Sequence, residues 1–402
     1  MTSSSPQSLL LLPPIPEPAT YPTVKATYQA PLLLALRQLK ETISGRCILD
    51  IALPCPHLYK SSASRAELYA QTQAAVANVY KLVSIIAARQ NIETADVDGD
   101  AVDVRVLLIA YPRNGILEVA TAKDTSGWFG PVVELSQLAE SGRAWDRIWS
   151  VETEQGEQLV KNFKTLWKGS KAEFSKLRGG VVQVDKSASK SVGSEVKRSN
   201  SVCVGGTFDH LHIGHKLLLT MTAFALDPPA DGSSEAEKTV TIGMTAADLL
   251  AKKQYAELLQ SWRTRTDRTH AFLRGIMLLE EDKEQLEEVH NPGPNGHALL
   301  VRISTSAGNL LLRYVEIWDP FGPTITDPTI ETLIVSAETR SGGKMVNDKR
   351  NEVDMASLIV LEVDVLDASE EEKLDSDLLA TKLSSTEIRK RQQERLKRQS
   401  RV

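Results

Sequence analysis

Two histidines three residues apart, a threonine and a glycine pair stand together in Val202 to Lys216, V-C-V-G-G-T-F-D-H-L-H-I-G-H-K. Imidazoles and a hydroxyl suit phosphate oxygens, and glycines let the backbone come closer to a ligand than a Cβ allows. Val202 and Val204 alternate as strand residues do, Gly205 and Gly206 permit a sharp turn, and Lys216-Leu217-Leu218-Leu219 opens an apolar segment fit for a helix. The N–H groups at the start of such a helix favour an anion. His212 and His215 share a face if that first turn is helical. The spacing predicts a nucleotide-phosphate site on a strand, turn and helix.

A second group of hydroxyls lies in Lys382-Leu383-Ser384-Ser385-Thr386-Glu387-Ile388-Arg389. Ser384 with Glu387 three residues on is a capping box, worth about 1 kcal/mol to any helix. A hydroxyl-rich helix start can cap and cradle phosphate together. The H-x-x-H pair could hold zinc, but a catalytic zinc needs a third ligand, and no cysteine or histidine cluster supplies it. Cys47, Cys55 and Cys203 are scattered and odd in number, which fits free thiols in a reducing compartment.

The string G-G-T-F-D-x-x-H-x-G-H resembles the signature of the nucleotidyltransferase superfamily, and Ser384 to Arg389 resembles its I-S-S-T-x-[IL]-R element. Three further segments are similar to the eukaryotic and archaeal phosphopantetheine adenylyltransferases. They are Thr245 to Lys253 followed by Glu257 to Gln260; Trp318-Asp-Pro-Phe-Gly-Pro323 with Asp327-Pro328; and Leu333 to Gly343 with Asn347 and Arg350 just beyond. The resemblance covers residues 200 to about 395.

The resemblance implies a Rossmann-like α/β domain that transfers adenylyl from ATP to 4′-phosphopantetheine, giving dephospho-coenzyme A and pyrophosphate. It implies that His215 and His212 meet the α-phosphate, that Thr207 meets the acceptor and α-phosphates, and that Lys253 neutralises the acceptor. Gly205, Gly206, Phe208, Asp209, Gly214, Ser336, Glu338 and Arg340 would border the nucleotide, with Ser384, Ser385 and Thr386 on the β- and γ-oxygens. Mg²⁺ would be held mainly by phosphates and water, with no protein ligand named. Other coenzyme A pathway enzymes are candidate partners. A cytidylyltransferase or another acceptor, and a catalytically weak scaffold of a coenzyme A assembly, remain the alternative readings.

Some positions depart from that pattern. Arg340 follows Thr339 directly, one place displaced, and Arg263, Arg265 and Arg268 compete for a phosphate role. His210 has none and is expected on the surface or in a loop. Lys216 reads equally as added charge or as a helix-surface lysine. Asp227 to Lys238 and Glu280 to His297 read as inserted loops.

These groups must be held by elements, and the composition says which kind. The 402 residues allow two domains, and a net charge of −5 excludes a globally basic nucleic-acid binder. Residues 1–168 read as an N-terminal α/β domain without assigned function: Cys47–Leu53 and Val102–Ala110 as strands, Ala63–Gln90 and Gly156–Lys168 as helices. Residues 169–200, rich in Ser, Lys and Gly, read as a flexible linker, and 201–402 as the catalytic domain with a basic C-terminal helix. No Walker-type G-x-x-x-x-G-K-[ST] is present, so no kinase is expected beside the transferase. The apolar run Leu9–Leu12 is broken by Pro13-Pro14 and lacks a basic lead, so neither signal peptide nor membrane anchor is expected, and the chain is placed in the cytoplasm, with nuclear access left open.

Overall fold

In the computed structural model the apolar run near the start, Gln7–Leu11 (β1), is a central strand of a parallel sheet. The residues described are 5–42, 45–95, 101–118, 130–169, 171–180, 197–229, 237–280, 283–291, 293–305, 308–364 and 384–399. After β1 come Tyr21–Thr42 (α1), Arg46–Pro54 (β2), Arg65–Arg89 (α2), Ala101–Ala110 (β3), Val132–Glu134 (β4) and Leu135–Glu140 (α3). Arg147–Glu152 (β5), Glu154–Leu166 (α4) and Glu173–Arg178 (β6) complete the half. The sheet order is β4-β3-β2-β1-β5-β6, all parallel. Parallel strands are covered on both faces and so read as unbroken apolar runs. That is why Leu9, Leu10 and Leu11 are fully buried.

The two strands and two helices expected here are present with shifted ends. Ser64 caps α2 in a capping box with Glu67. The stretch expected as linker is different: residues 173–178 form β6, because Leu177 is buried and Phe174 packs edge-on to Trp167, centroids 5.1 Å apart. Positions 181–196 of that stretch lie outside the described residues.

The C-terminal half runs Ser201–Gly206 (β7), Ile213–Phe224 (α5), Lys238–Thr245 (β8), Ala247–Leu250 (α6) and Trp262–Met277 (α7). It continues with Glu284–His290 (β9), His297–Thr305 (β10), Gly308–Ile317 (β11), Thr332–Ser336 (β12), Arg340–Glu352 (α8), Ile359–Val363 (β13) and Ser385–Gln399 (α9). Its sheet order is β13-β12-β7-β8-β11-β10-β9. The first five strands are parallel in the doubly wound pattern, with the order reversing between β7 and β12; the β10–β11 and β9–β10 pairs are antiparallel. Residues 284–290, expected in an inserted loop, are an edge strand instead. Five of its residues are mostly exposed and four of those are polar, which keeps an edge from pairing with other chains. Within the other expected insertion, 230–236 lie outside the described residues and Lys238 begins β8.

The halves share one core. A continuous apolar cluster includes Leu9, Val79 and Val106 on one side and Leu217, Phe224 and Phe272 on the other. The α5 helix, which carries the histidine motif, packs on α2, while α7 packs on β3. Among the described residues no helix is long and apolar enough to cross a membrane.

Candidate active site

β7 delivers the glycine turn at the carboxyl end of the sheet, beside β12, where strand order reverses; open α/β sheets bind ligands in that crevice. A Cβ on Gly206 would meet the Phe208 ring at 2.9 Å, so the turn needs glycine there. Phe208 (φ 50°) and His210 (φ 46°) then adopt left-handed backbone without being glycine. Such positions cost about 1–3 kcal/mol each and persist where the surroundings over-determine them. Phe208 is buried against the His215 ring, centroids 5.5 Å apart.

His212 caps α5: its Nδ1 accepts the backbone N–H of His215 at 3.4 Å, which leaves the ring proton on Nε2. The two imidazoles stack at 3.8 Å and 21°. Burial holds His212 well below the ordinary imidazole value, helped by His215, Lys216 and His210. Burial likewise lowers His215 to about 4, with Asp209 opposing and Lys253 and His210 adding to the shift. Both rings are therefore neutral at pH 7 in the free protein. Among the described residues, the buried Nδ1 of His215 has no hydrogen-bond partner.

Lys253 donates to the Thr207 hydroxyl at 3.1 Å, so the expected acceptor-side lysine and the turn threonine do meet. Burial first, and Arg389 next, lower the lysine's pKa.

Asp209, expected to border the nucleotide, is held by protein groups. It is fully buried, one oxygen paired with the Arg389 guanidinium and the other accepting the Gln260 N–H at 3.0 Å. Its carboxylate joins the 209 loop to Arg389 and Gln260. Arg389 also donates to the Gln254 carbonyl at 3.1 Å and to the Thr386 hydroxyl at 3.2 Å, while the Ser385 hydroxyl donates to the Asp209 carbonyl at 2.8 Å. Ser384 accepts the Glu387 N–H at 3.4 Å, which is the capping geometry expected of it. The hydroxyl-rich start of α9 is thereby fastened to the glycine turn. Positions 382 and 383 lie outside the described residues.

Across the reversal point, Ser336 ends β12 and its hydroxyl is 3.1 Å from that of Thr339. Glu338 is exposed. Arg340 is exposed too, and its Nε and one terminal nitrogen donate to the two carboxylate oxygens of Glu362. Asn347 braces Leu358, and buried Arg350 donates to the carbonyls of Thr324, Asp327 and Ala356. Those two residues are structural supports.

The three competing arginines stand in different surroundings. Arg265 is buried and donates to the carbonyls of Thr207, Thr245 and Gln260, so it braces the site from behind. Arg263 pairs with Asp267 and Glu288. Arg268 lines a small cavity with Asp103 and Lys216, between the halves. His210, expected on the surface or in a loop, lies in the loop before α5 but is buried there, 3% exposed, its Nε2 3.1 Å from the Leu258 carbonyl. Sequence reasoning gave Arg389 and Gln260 no role; the arginine sat within the quoted motif, but its partner is 180 positions away.

Gly214 lies where a Cβ would stand 3.2 Å from the His212 ring, and a Cβ on Gly205 would make an ordinary contact with the Ile317 side chain at 4.0 Å. Elsewhere Glu288, His290 and His297 bring potential metal-ligand atoms within 4.8 Å of one another on the β9–β10 hairpin. None of them belongs to the phosphate motif.

Residues 1–188 match a domain of unknown function, DUF8446. An uncharacterized protein of Schizosaccharomyces pombe is 35% identical over 256 residues, 63% of this chain and 67% of that protein. A phosphopantetheine adenylyltransferase of Saccharomyces cerevisiae is 33% identical over 196 residues, 49% of this chain and half of that protein's length. One of Pyrobaculum aerophilum is 30% identical over 152 residues, 37% of this chain and 70% of that protein.

Proposed function

We propose, from the premise that this chain belongs to the protein family that includes the phosphopantetheine adenylyltransferases, that it transfers adenylyl from ATP to 4′-phosphopantetheine. A phosphate oxygen of the acceptor attacks the α-phosphorus in line, the new P–O bond forms, and the bond to pyrophosphate breaks. No side-chain nucleophile is needed: fixing two reactants in attack geometry supplies about 7–11 kcal/mol, and each donor aimed at transition-state oxygens adds about 2.7–4 kcal/mol.

The observation that carries this reading is the buried, unpartnered Nδ1 of His215 beside a glycine turn, in a motif whose lysine already rests on Thr207. A buried polar atom without a partner costs about 1–3 kcal/mol, and a phosphate oxygen would satisfy it. In this scheme His215 donates to the α-phosphate as charge builds there, and His212 orients it. Thr207 and Lys253 receive the acceptor phosphate. Ser384, Ser385 and Thr386, at the start of α9, hold the β- and γ-oxygens.

Mg²⁺ would neutralise the departing pyrophosphate. The motif's carboxylate, Asp209, is committed to Arg389 and Gln260. The residues present therefore fit a cation held by phosphate and water.

Label transfer tests the reaction class. With ATP labelled at the α-phosphate, the label must leave with the acceptor while pyrophosphate stays unlabelled. Label found in free AMP or ADP would make the protein a hydrolase or kinase and reject the reading.

A further inference from the structure

Lys216 follows His215 directly, yet it points to the other half of the chain. It is 2% exposed, its Nζ lies 2.8 Å from Asp103 Oδ1, and it is 3.4 Å from the Thr94 carbonyl. Asp103 stands on β3 and also receives Arg105 at 2.8 Å and Arg46 at 3.3 Å. Burial opposes its charge, but Arg105, Lys216 and Arg46 hold the carboxyl well below the usual carboxylate range.

The same turn reaches the second phosphate element. Glu93 Oε2 accepts from Arg391 of α9 at 3.2 Å, five positions beyond Thr386. Its other oxygen accepts the N–H groups of Thr94 and Ala95 at 3.1 Å each, and its carbonyl accepts the Val102 N–H at 2.8 Å. The turn is therefore braced within itself and anchored to β3. Thr94 and Ala95 are nearly fully buried.

We infer that the N-terminal half, matched to a domain of unknown function, is a positioning unit for the phosphate site: the Glu93–Ala95 turn and Asp103 set α5 and α9 relative to one another. Its effect on catalysis rests on the function proposed above; its effect on the two helices does not. Lys216, Glu93, Asp103 and Arg391 are positioning residues, since none of them is placed on substrate.

Two features favour positioning over mere contact between halves. The contacts fall on the helices that bear His215 and Thr386, within one turn of the former and two of the latter. They are also ionic and local, so they fix orientation as apolar packing does not. Angular errors there would matter, because a misplacement of about 1 Å in an active site can cost on the order of a hundredfold.

The test uses the full-length chain with Glu93→Gln, Lys216→Met and Lys216→Arg. In Glu93→Gln the side-chain amide oxygen can still accept the Thr94 and Ala95 N–H groups, and in Lys216→Met the Asp103 carboxylate keeps its two arginines, so both variants are expected to fold. Amide hydrogen exchange should speed up in 385–399 for Glu93→Gln and in the first turns of 213–224 for Lys216→Met, with the β-sheet amides unchanged. Turnover with ATP and 4′-phosphopantetheine should fall about tenfold or more in kcat, with a smaller rise in KM for the acceptor. Lys216→Arg should recover both exchange and turnover. Wild-type exchange and wild-type turnover in Glu93→Gln and Lys216→Met would overturn the inference. If the wild-type chain turns over neither substrate, the proposed function fails by itself, and the exchange pattern still decides whether the N-terminal half positions the helices.

Discussion

Arg389 and Asp209, 180 positions apart, form a buried ion pair that joins the C-terminal hydroxyl motif to the glycine turn. The side chains are 1% and 0% exposed. Truncating one member of such a pair strands a buried charge, at about 3–5 kcal/mol. Arg389→Met and Asp209→Leu should each lower stability by about that much in urea unfolding, and the double variant should lose less than the sum of the two. Strict additivity would mean that the two groups do not depend on each other.

In the proposed function the Lys253–Thr207 contact receives the acceptor phosphate, which gives acceptor and nucleotide different sensitivities. Loss of a charged hydrogen-bond donor costs about 1.5–3 kcal/mol, so Lys253→Ala should raise KM for the acceptor about tenfold or more, with a smaller change for ATP. Initial rates over a series of each substrate check it. An equal effect on both would move the lysine to the triphosphate.

Acid should weaken the fold by forcing charge onto buried imidazoles. His57 and His215 are each lowered to about 4, chiefly by burial, and His212 is lowered as well. The unfolded chain takes up protons near pH 6.5, where the folded imidazoles stay neutral, so stability present at pH 7 is lost progressively as pH falls from about 6.5 toward 4. The urea midpoint should be distinctly lower at pH 5 than at pH 7.5. An unchanged midpoint would mean that these rings are solvated.

Bound triphosphate should reverse that shift, because an adjacent anion favours imidazolium. Calorimetry of ATP binding in buffers of different ionisation enthalpy should show proton uptake below about pH 6 and almost none at pH 8. Equal uptake at both would place the phosphates away from His212 and His215.

Gly214→Ala should act with opposite signs on fold and function. Alanine within a helix is favoured over glycine by about 0.5–1 kcal/mol, while its Cβ would press on the His212 ring 3.2 Å away. Thermal unfolding should hold or rise as turnover drops on the order of tenfold. Unchanged turnover would show that the His212 ring has freedom to move.

Local signals in the sequence were legible where one segment carried them whole. The strand, glycine turn and helix of 202–216 and the Ser384 cap follow from composition and spacing, as do the strands at 46–54 and 101–110. The strand at 7–11 was hidden because its partners are residues 48–52 and 147–150, so an apolar run bounded by prolines gave no direction. The helix at 21–42 contains Pro31, which in isolation argues for a break. The tasks of Asp209, Lys216 and Arg265 depend on Arg389, Asp103 and distant carbonyls, and residue type alone places each of them equally well on a ligand.

Steady-state pyrophosphate release with Mg²⁺ bears most squarely on the adenylyl transfer itself, comparing ATP with CTP and 4′-phosphopantetheine with glycerol phosphate and nicotinamide mononucleotide, alongside His215→Ala. Release is expected with ATP and 4′-phosphopantetheine alone, reduced about a hundredfold or more by the substitution. Turnover with no pair, or a variant equal to wild type, would contradict both the substrate assignment and the role given to His215.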